Sequence, residues 1–316
     1  MKSPARRFPV VMLAISAFFL GGPVLLNYLV DPYDRFGNNR LGVYIMCERE
    51  MKSTEVARRP HDALLIGNSR IACIPAQPLE GFRFFNAAFA AATPEEIYWF
   101  LLHHAKNQRV VVLGIDLGTQ DPAVLQGDIF RRGDWTLAAE NLVNLQTVEY
   151  SFKTLFSHWA GKPSHYLPDG SVPDEVLLKA AGKKDDSLAG KVFMNSLKGA
   201  MAERVMKPPR SLSFYRKIAD MLRERKIPCV VVMPPIHEDV MRHIESQNLH
   251  GECQAWKDDV RAIFPNIVDL TTSPYNAAPG FYVRDPVHFK PDVGVKFMNG
   301  QVLPFTMKVL GELRQR

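Results

Sequence analysis

Three residues of this chain have the types that serine acyl chemistry requires. Ser69 stands in Gly67-Asn68-Ser69-Arg70, and Asp285 and His288 stand far downstream in Asp285-Pro286-Val287-His288. A serine hydroxyl is a poor nucleophile until a base takes its proton, and the base needs a third group to orient its ring. Asp285 and His288 supply both types three residues apart. With Pro286 between them the segment reads as a turn rather than a helix interior, and a turn folds a carboxylate back onto an imidazole. Gly-x-Ser alone is a weak signal, because a serine ahead of a helix is commonly only its N-cap. The pairing with a distant Asp-x-x-His is what gives it weight.

The elements around Ser69 are those that place a nucleophile well. Ala63-Leu64-Leu65-Ile66, bounded by Asp62 and Gly67, is too short for a helix and fits a strand covered on both faces. Ser69 then sits at the carboxyl end of that strand, where ligands bind in open α/β sheets. Pro94 to Asn107 reads as a helix, with Pro94 at its start, Glu95 and Glu96 in its first turn, and Ile97, Phe100, Leu101 and Ala105 on one face. It leads into a strand over Val110 to Ile115. The same grammar returns as helix Ser213 to Arg225, strand Cys229 to Met233, helix Gly251 to Phe264 and strand Ile267 to Leu270. Strand, helix, strand is the unit of a parallel sheet. Two more residues fall on the same edge. Arg70 follows the serine and offers either a substrate anion contact or a surface ion pair; His237, after Met233-Pro234-Pro235-Ile236, offers either a substrate contact or a stabilised turn.

Gly67-Asn68-Ser69 near the start of this region and Asp285-x-x-His288 near its end resemble the SGNH (GDSL-like) hydrolase superfamily, over roughly residues 60 to 300. The resemblance implies a three-layer α/β/α sandwich with a mainly parallel sheet, with Ser69 as nucleophile, His288 as base and Asp285 as its orienting carboxylate. In that family a second motif supplies an oxyanion-hole glycine. Here the matching run is Phe85-Asn86-Ala87-Ala88-Phe89-Ala90-Ala91-Ala92-Thr93-Pro94, with Ala91 the best-placed candidate. Only its backbone N–H would be needed. The third motif, usually Gly-x-Asn-Asp, has two competing matches after Val110-Val111-Val112-Leu113: Gln120 keeps an amide donor, whereas Asp116 lies at the strand end, where an ionised carboxylate would repel an oxyanion.

The chain begins with Lys2, Arg6 and Arg7, followed by an uncharged run from Phe8 to Val30. At ~1.5 Å per residue in a helix, that run is long enough for about 30 Å of hydrocarbon. The basic flank should stay in the cytoplasm. Ala14-Ile15-Ser16-Ala17 loosely imitates a signal-peptide processing site, but the apolar character continues past it through Leu29, so an uncleaved single-pass anchor in the inner (cell) membrane, with a periplasmic domain, is the expectation. Residues 1–30 are thus read as cytoplasmic N-terminus and anchor. Residues 31–60 are read as a turn-rich connector, and 61–316 as the α/β domain with an insertion at about 124–209. Leu142, Leu145, Val148, Phe152 and Leu155 recur at helical spacing, which predicts a helix covering the sandwich. Trp159 to Gly190 reads as a mobile loop, with His158, His165 and Tyr166 as surface residues.

A hydrophobic content of 47% suffices for a core, and the net charge of +6 is spread without a basic run, which argues against dedicated nucleic-acid binding. The 4 cysteines and 9 histidines show no metal-ligand spacing, so neither a metal nor another cofactor is called for. The expected function is membrane-anchored serine acyl transfer. The resemblance includes membrane-anchored proteins that O-acetylate alginate and similar exopolysaccharides, which implies an acyl donor, a polysaccharide acceptor and a membrane-embedded acyltransferase partner. The alternatives are an esterase of the same fold and a non-catalytic binding or scaffold subunit of a polysaccharide assembly.

Overall fold

The computed structural model describes residues 8–45, 47–117, 129–131, 134–173, 175–177, 212–282 and 285–315. In chain order the principal elements are α1 (Phe8–Val30), α2 (Glu48–Arg58), β1 (Ala63–Ile66), the single turn α3 (Ser69–Ala72), β2 (Phe84–Asn86), α4 (Pro94–His104), β3 (Val110–Gly114), α5 (Asp134–Val143), α6 (Leu145–Trp159), α7 (Leu212–Glu224), β4 (Cys229–Met233), α8 (Glu238–Ser246), α9 (His250–Ile263), β5 (Ile267–Asp269), β6 (Phe281–Tyr282), β7 (Asp285–Phe289), α10 (Pro291–Phe297) and α11 (Leu303–Gln315). They fall into two compact units, Met1–Thr54 with Arg131–His165, and Glu55–Phe130 with Tyr166–Arg316.

The second unit is an α/β fold on a five-stranded, all-parallel sheet of order β2-β1-β3-β4-β5. Successive strand residues point to opposite faces, so each strand feeds two cores. Leu64, Ile66, Val111, Leu113, Val231 and Met233 pack with α4, α7, α8 and α9 through Phe100, Ile218, Val240 and Val260. Leu65, Val112, Val230 and Val232 pack on the other side with Ile71, Phe289, Phe297 and Val302. Burial on both faces explains why these strands are unbroken apolar runs. α4 starts on a reciprocal cap, with Thr93 Oγ1 accepting from the Glu96 N–H at 3.2 Å and Glu96 accepting from the Thr93 N–H at 3.0 Å. None of the 4 cysteines is joined in a disulfide.

In the first unit α1 packs against α5 and α6. Three sequence expectations change here. The stretch read as a connector is folded: Asp31 accepts from the N–H groups of Arg35 at 2.7 Å, Phe36 at 2.7 Å and Asn38 at 3.0 Å, and Val43, Tyr44 and Ile45 are buried. Turn-forming residues serve a packed turn as readily as a linker. The helical stretch from the insertion breaks at Asn144, whose side chain caps α6 by accepting from the Gln146 N–H at 2.8 Å. On α6 the residues turned inward are Thr147, Ser151 and Thr154, while Leu145 and Phe152, expected in a core, are exposed. Over the residues whose side chains are described, no helical stretch is long and apolar enough to cross a membrane. α1 itself is a helix of 23 residues, and most of its side chains from Phe8 to Leu20 lie outside that description.

The run expected to be a mobile loop is, over residues 166–173, attached to the second unit. Asn86 N–H donates to Asp169 O at 2.7 Å, Ala76 N–H donates to Ser171 Oγ at 2.8 Å, and Tyr166 is buried rather than on the surface. Residues 178–190 of that run lie outside the described residues.

The strand order reverses at β1, with β2 added on one side of it and β3 on the other, and there the chain is packed with no space to spare. A Cβ on Gly114 would lie 2.0 Å from Ile71 Cγ1, and one on Gly67 would lie 2.7 Å from the same atom. The two glycines let the α3 turn sit directly on the ends of both strands. Replacing Gly114 by Ala should therefore cost about 1–3 kcal/mol through overpacking. Combining it with Ile71→Ala should cost less than the two single losses added together. Denaturant unfolding of the four proteins measures this; strictly additive losses would show that Ile71 and Gly114 do not share the space.

Candidate active site

Ser69 is set by what surrounds α3 rather than by α3 itself, since one helical turn is not self-sustaining. Asn68 caps the turn, its Oδ1 accepting from the Arg70 N–H at 3.1 Å. Buried Asn86, at the end of β2, donates from Nδ2 to Ile74 O at 2.7 Å and Ile71 O at 3.1 Å, and its Oδ1 accepts from the Ala88 N–H at 3.0 Å. Cys73 Sγ lies 2.8 Å from Arg70 O and 3.6 Å from Phe289 O, linking the turn to β7. Asn86 was missed as a site residue. Its contacts run to carbonyls of another segment, and the only signal was an asparagine ending a short apolar strand.

Asp285 and His288 arrive on the β6–β7 hairpin, where Phe281 pairs with Phe289 and Tyr282 with Asp285. The segment expected as a turn is thus a short strand that begins with one. Burial of Phe281 and Phe289 in the second core draws it into extended form, while Asp285 Oδ1 accepts from the N–H groups of Val287 at 3.0 Å and His288 at 3.2 Å. The other carboxylate oxygen, Oδ2, is 2.9 Å from His288 Nδ1, and His288 Nε2 is 2.9 Å from Ser69 Oγ. A carboxylate only accepts, so the imidazole proton belongs on Nδ1, and Nε2 is left to accept from the serine hydroxyl. Asp285 is buried and His288 is 32% exposed, so the orienting carboxylate is sheltered while the base and the half-buried serine are accessible. This arrangement can remove a proton from Ser69 and return one to a leaving group.

Arg70 is not on a helix surface. It is fully buried, with Nη2 donating to Pro235 O and Nη1 lying 3.6 Å from Asp116 Oδ2. The same Asp116 oxygen accepts from Asn68 Nδ2 at 2.6 Å. Burial pushes the Arg70 guanidinium down from its ordinary value, and the Asp116 carboxylate opposes that shift. Asp116 therefore stands at the end of β3 as the counter-charge of a buried arginine, and the repulsion that an isolated carboxylate would exert on an oxyanion is offset beside it.

The remaining candidates are spread around this centre. Phe89 N–H donates to Gly67 O at 3.2 Å, which carries the run containing Ala91 alongside the end of β1. Ala91 is half-buried and has φ +51, a left-handed conformation that favours glycine, the residue expected at this point of the motif. His237 caps α8, its Nδ1 accepting from the Asp239 N–H at 3.0 Å, and its ring meets Phe281 edge-on at 4.9 Å. Of the two roles open for it, the structure records the turn-stabilising one. Gln120 lies outside the described residues.

The strand order and the position of the site at the β1/β3 reversal are consistent with a flavodoxin-like or SGNH-like α/β fold. Comparison with known proteins finds no matching family model and no matching curated protein.

The buried Arg70–Asp116 pair gives the site a testable electrostatic dependence. Asp116→Asn should destabilise the protein by roughly 3–5 kcal/mol, because it leaves a buried guanidinium without its counter-charge. Adding Arg70→Met should recover part of that loss. If the double variant is as unstable as the sum of the two singles in denaturant titrations, the two charges are not coupled.

Proposed function

We propose that this chain is a serine acyl-transfer protein, anchored in the inner membrane with its α/β unit in the periplasm, that O-acylates an envelope or exported polysaccharide. The observation that carries the reading is the hydrogen-bonded series Asp285–His288–Ser69 at the carboxyl edge of the sheet, where the strand order reverses. In the first half-reaction Ser69 Oγ attacks the donor's acyl carbonyl as His288 Nε2 takes the hydroxyl proton. The donor's acyl bond breaks, the leaving group takes that proton, and an acyl-serine ester remains. In the second, an acceptor hydroxyl loses its proton to His288 and attacks the ester, and Ser69 is regenerated. Asp285 fixes the imidazole tautomer and stabilises the imidazolium. Backbone N–H groups of Ser69 and Ala91, with the Gln120 amide, are the oxyanion donors that the SGNH resemblance implies.

The membrane placement rests on the uncharged run from Phe8 to Val30 behind Lys2, Arg6 and Arg7. An anchored enzyme gains little against small soluble esters and much against a polymer modified during export, which favours the transferase. A membrane-embedded acyltransferase is the corresponding partner. Hydrolysis by the same residues is the second reading, and the 32% exposure of His288 favours it, because water reaches the base.

Two measurements test the proposal. A fluorophosphonate probe should label the full-length protein on Ser69, with labelling lost in Ser69→Ala and slowed at least about 100-fold in His288→Ala, and adding Asp285→Ala to His288→Ala should lose little more. No labelling of a folded protein would favour the scaffold reading, in which the fold persists without the chemistry. With an acyl ester donor, added polysaccharide should then divert acyl groups from water to sugar. A ratio of acylated glycan to free acid that stays near zero at saturating glycan, across several distinct polymers, would make the protein an esterase.

A further inference from the structure

The first unit exposes what a water-facing helix bundle buries. On α6 the side chains of Leu145, Phe152, Phe156 and Trp159 are 79%, 48%, 61% and 71% exposed. At 3.6 residues per turn these four lie within an arc of about 60°. The opposite face, which is buried, is Thr147, Ser151 and Thr154. On α1, Leu25, Tyr28 and Leu29 are exposed, whereas Asn27 is buried. Its Nδ2 donates to Leu142 O at 3.0 Å and Asn141 O at 3.2 Å, and its Oδ1 accepts from Ser151 Oγ at 3.0 Å. Small hydroxyl residues and a satisfied amide between helices, with aromatic and aliphatic side chains outward, is the pattern of helices packed in lipid, reversed from that of helices packed in water.

A protein partner would also cover such a face, and continuity decides between them. The apolar surface of α6 belongs to the same helix bundle as α1, a helix of 23 residues with no charged side chain. The acidic residue and the lysine of α6 itself are Glu149 and Lys153, which pair at 2.6 Å and so present a neutral edge. Trp135 on α5 is exposed as well as Trp159, and tryptophan is the residue that gathers at the membrane interface. We infer that α5 and α6 form a second membrane contact beside α1, with the Leu145, Phe152, Phe156 and Trp159 face set among lipid acyl chains. The inference rests on the anchor proposed above.

The chain has 4 tryptophans, of which Trp99 and Trp256 belong to the second unit, so emission reports the contact directly. The full-length protein is reconstituted into phosphatidylcholine vesicles whose acyl chains carry bromine. Part of its emission should be quenched, and W135F/W159F, matched by circular dichroism, should lose nearly all of that quenching. Protein that stays with the vesicles after carbonate washing, with Trp159 quenched by aqueous acrylamide but not by bromine, would place α6 in water and overturn the inference while leaving the anchor standing. Trp159 reached by neither quencher would mean that protein, such as a second copy, covers the face, which also overturns it. Protein that washes off the vesicles would remove the anchor and the inference together.

Discussion

The close approach of one helical turn to the ends of two adjacent strands is the constraint on which the site depends. Ile71 occupies space that a side chain on Gly67 or Gly114 would need, so α3 lies directly on the reversal point of the sheet. A turn of four residues supplies almost none of the energy that holds it there. The Asn86 amide supplies some by donating to the carbonyls that end the turn, and core burial of Ile71 supplies more. The orientation of Ser69 is thus fixed by residues outside its own motif. His288 is brought to it by the packing of Phe281 and Phe289 in the same core that receives Ile71. One core sets both partners of the 2.9 Å contact between Ser69 and His288.

That compactness creates an electrostatic demand. Arg70 follows Ser69 in the turn and points into the protein, where an unpaired guanidinium would be strongly destabilising. A carboxylate at the end of β3 answers it, and Asp116 occupies that place. A neutral amide there would donate to an oxyanion but leave the arginine uncompensated. A carboxylate at position 116 therefore has a cause in the charge of Arg70, and Asn68, which donates to Asp116 and accepts from the Arg70 backbone N–H, locks the arrangement to the serine's own turn.

What was legible in the sequence follows from how local each cause is. β1, β3 and β4 are buried on both faces, so each is an apolar run closed by glycine or proline, and their bounds fall within a residue or so of expectation. α4 carries its start signal in Thr93, Pro94 and Glu96. Asp285 and His288 were legible as types at a spacing, though not as a strand, because pairing with Phe281 is not written in their own segment. Asn86, Tyr166 and the burial of Arg70 were not legible, since each depends on residues that only the fold brings near. Asp31 to Ile45 was misread because a carboxylate gathering three backbone N–H groups has the same composition as a flexible linker.

α6 exposes a different limit. Its apolar residues do recur at helical spacing, so the helix was expected, but periodicity carries no sign: it shows that two faces differ without showing which faces inward. The sign comes from the solvent, and the assumption of water assigned Leu145 and Phe152 to a core. The polar half of the pattern held the missing information. Thr147, Ser151 and Thr154 are small enough for close helix packing and can hydrogen-bond across it, as Ser151 does with Asn27, an amide set late in an uncharged run and bonded also to carbonyls of Asn141 and Leu142. A run of small hydroxyl residues at helical spacing, opposite aromatic residues and following a long uncharged helix, therefore argues for reading the apolar face outward.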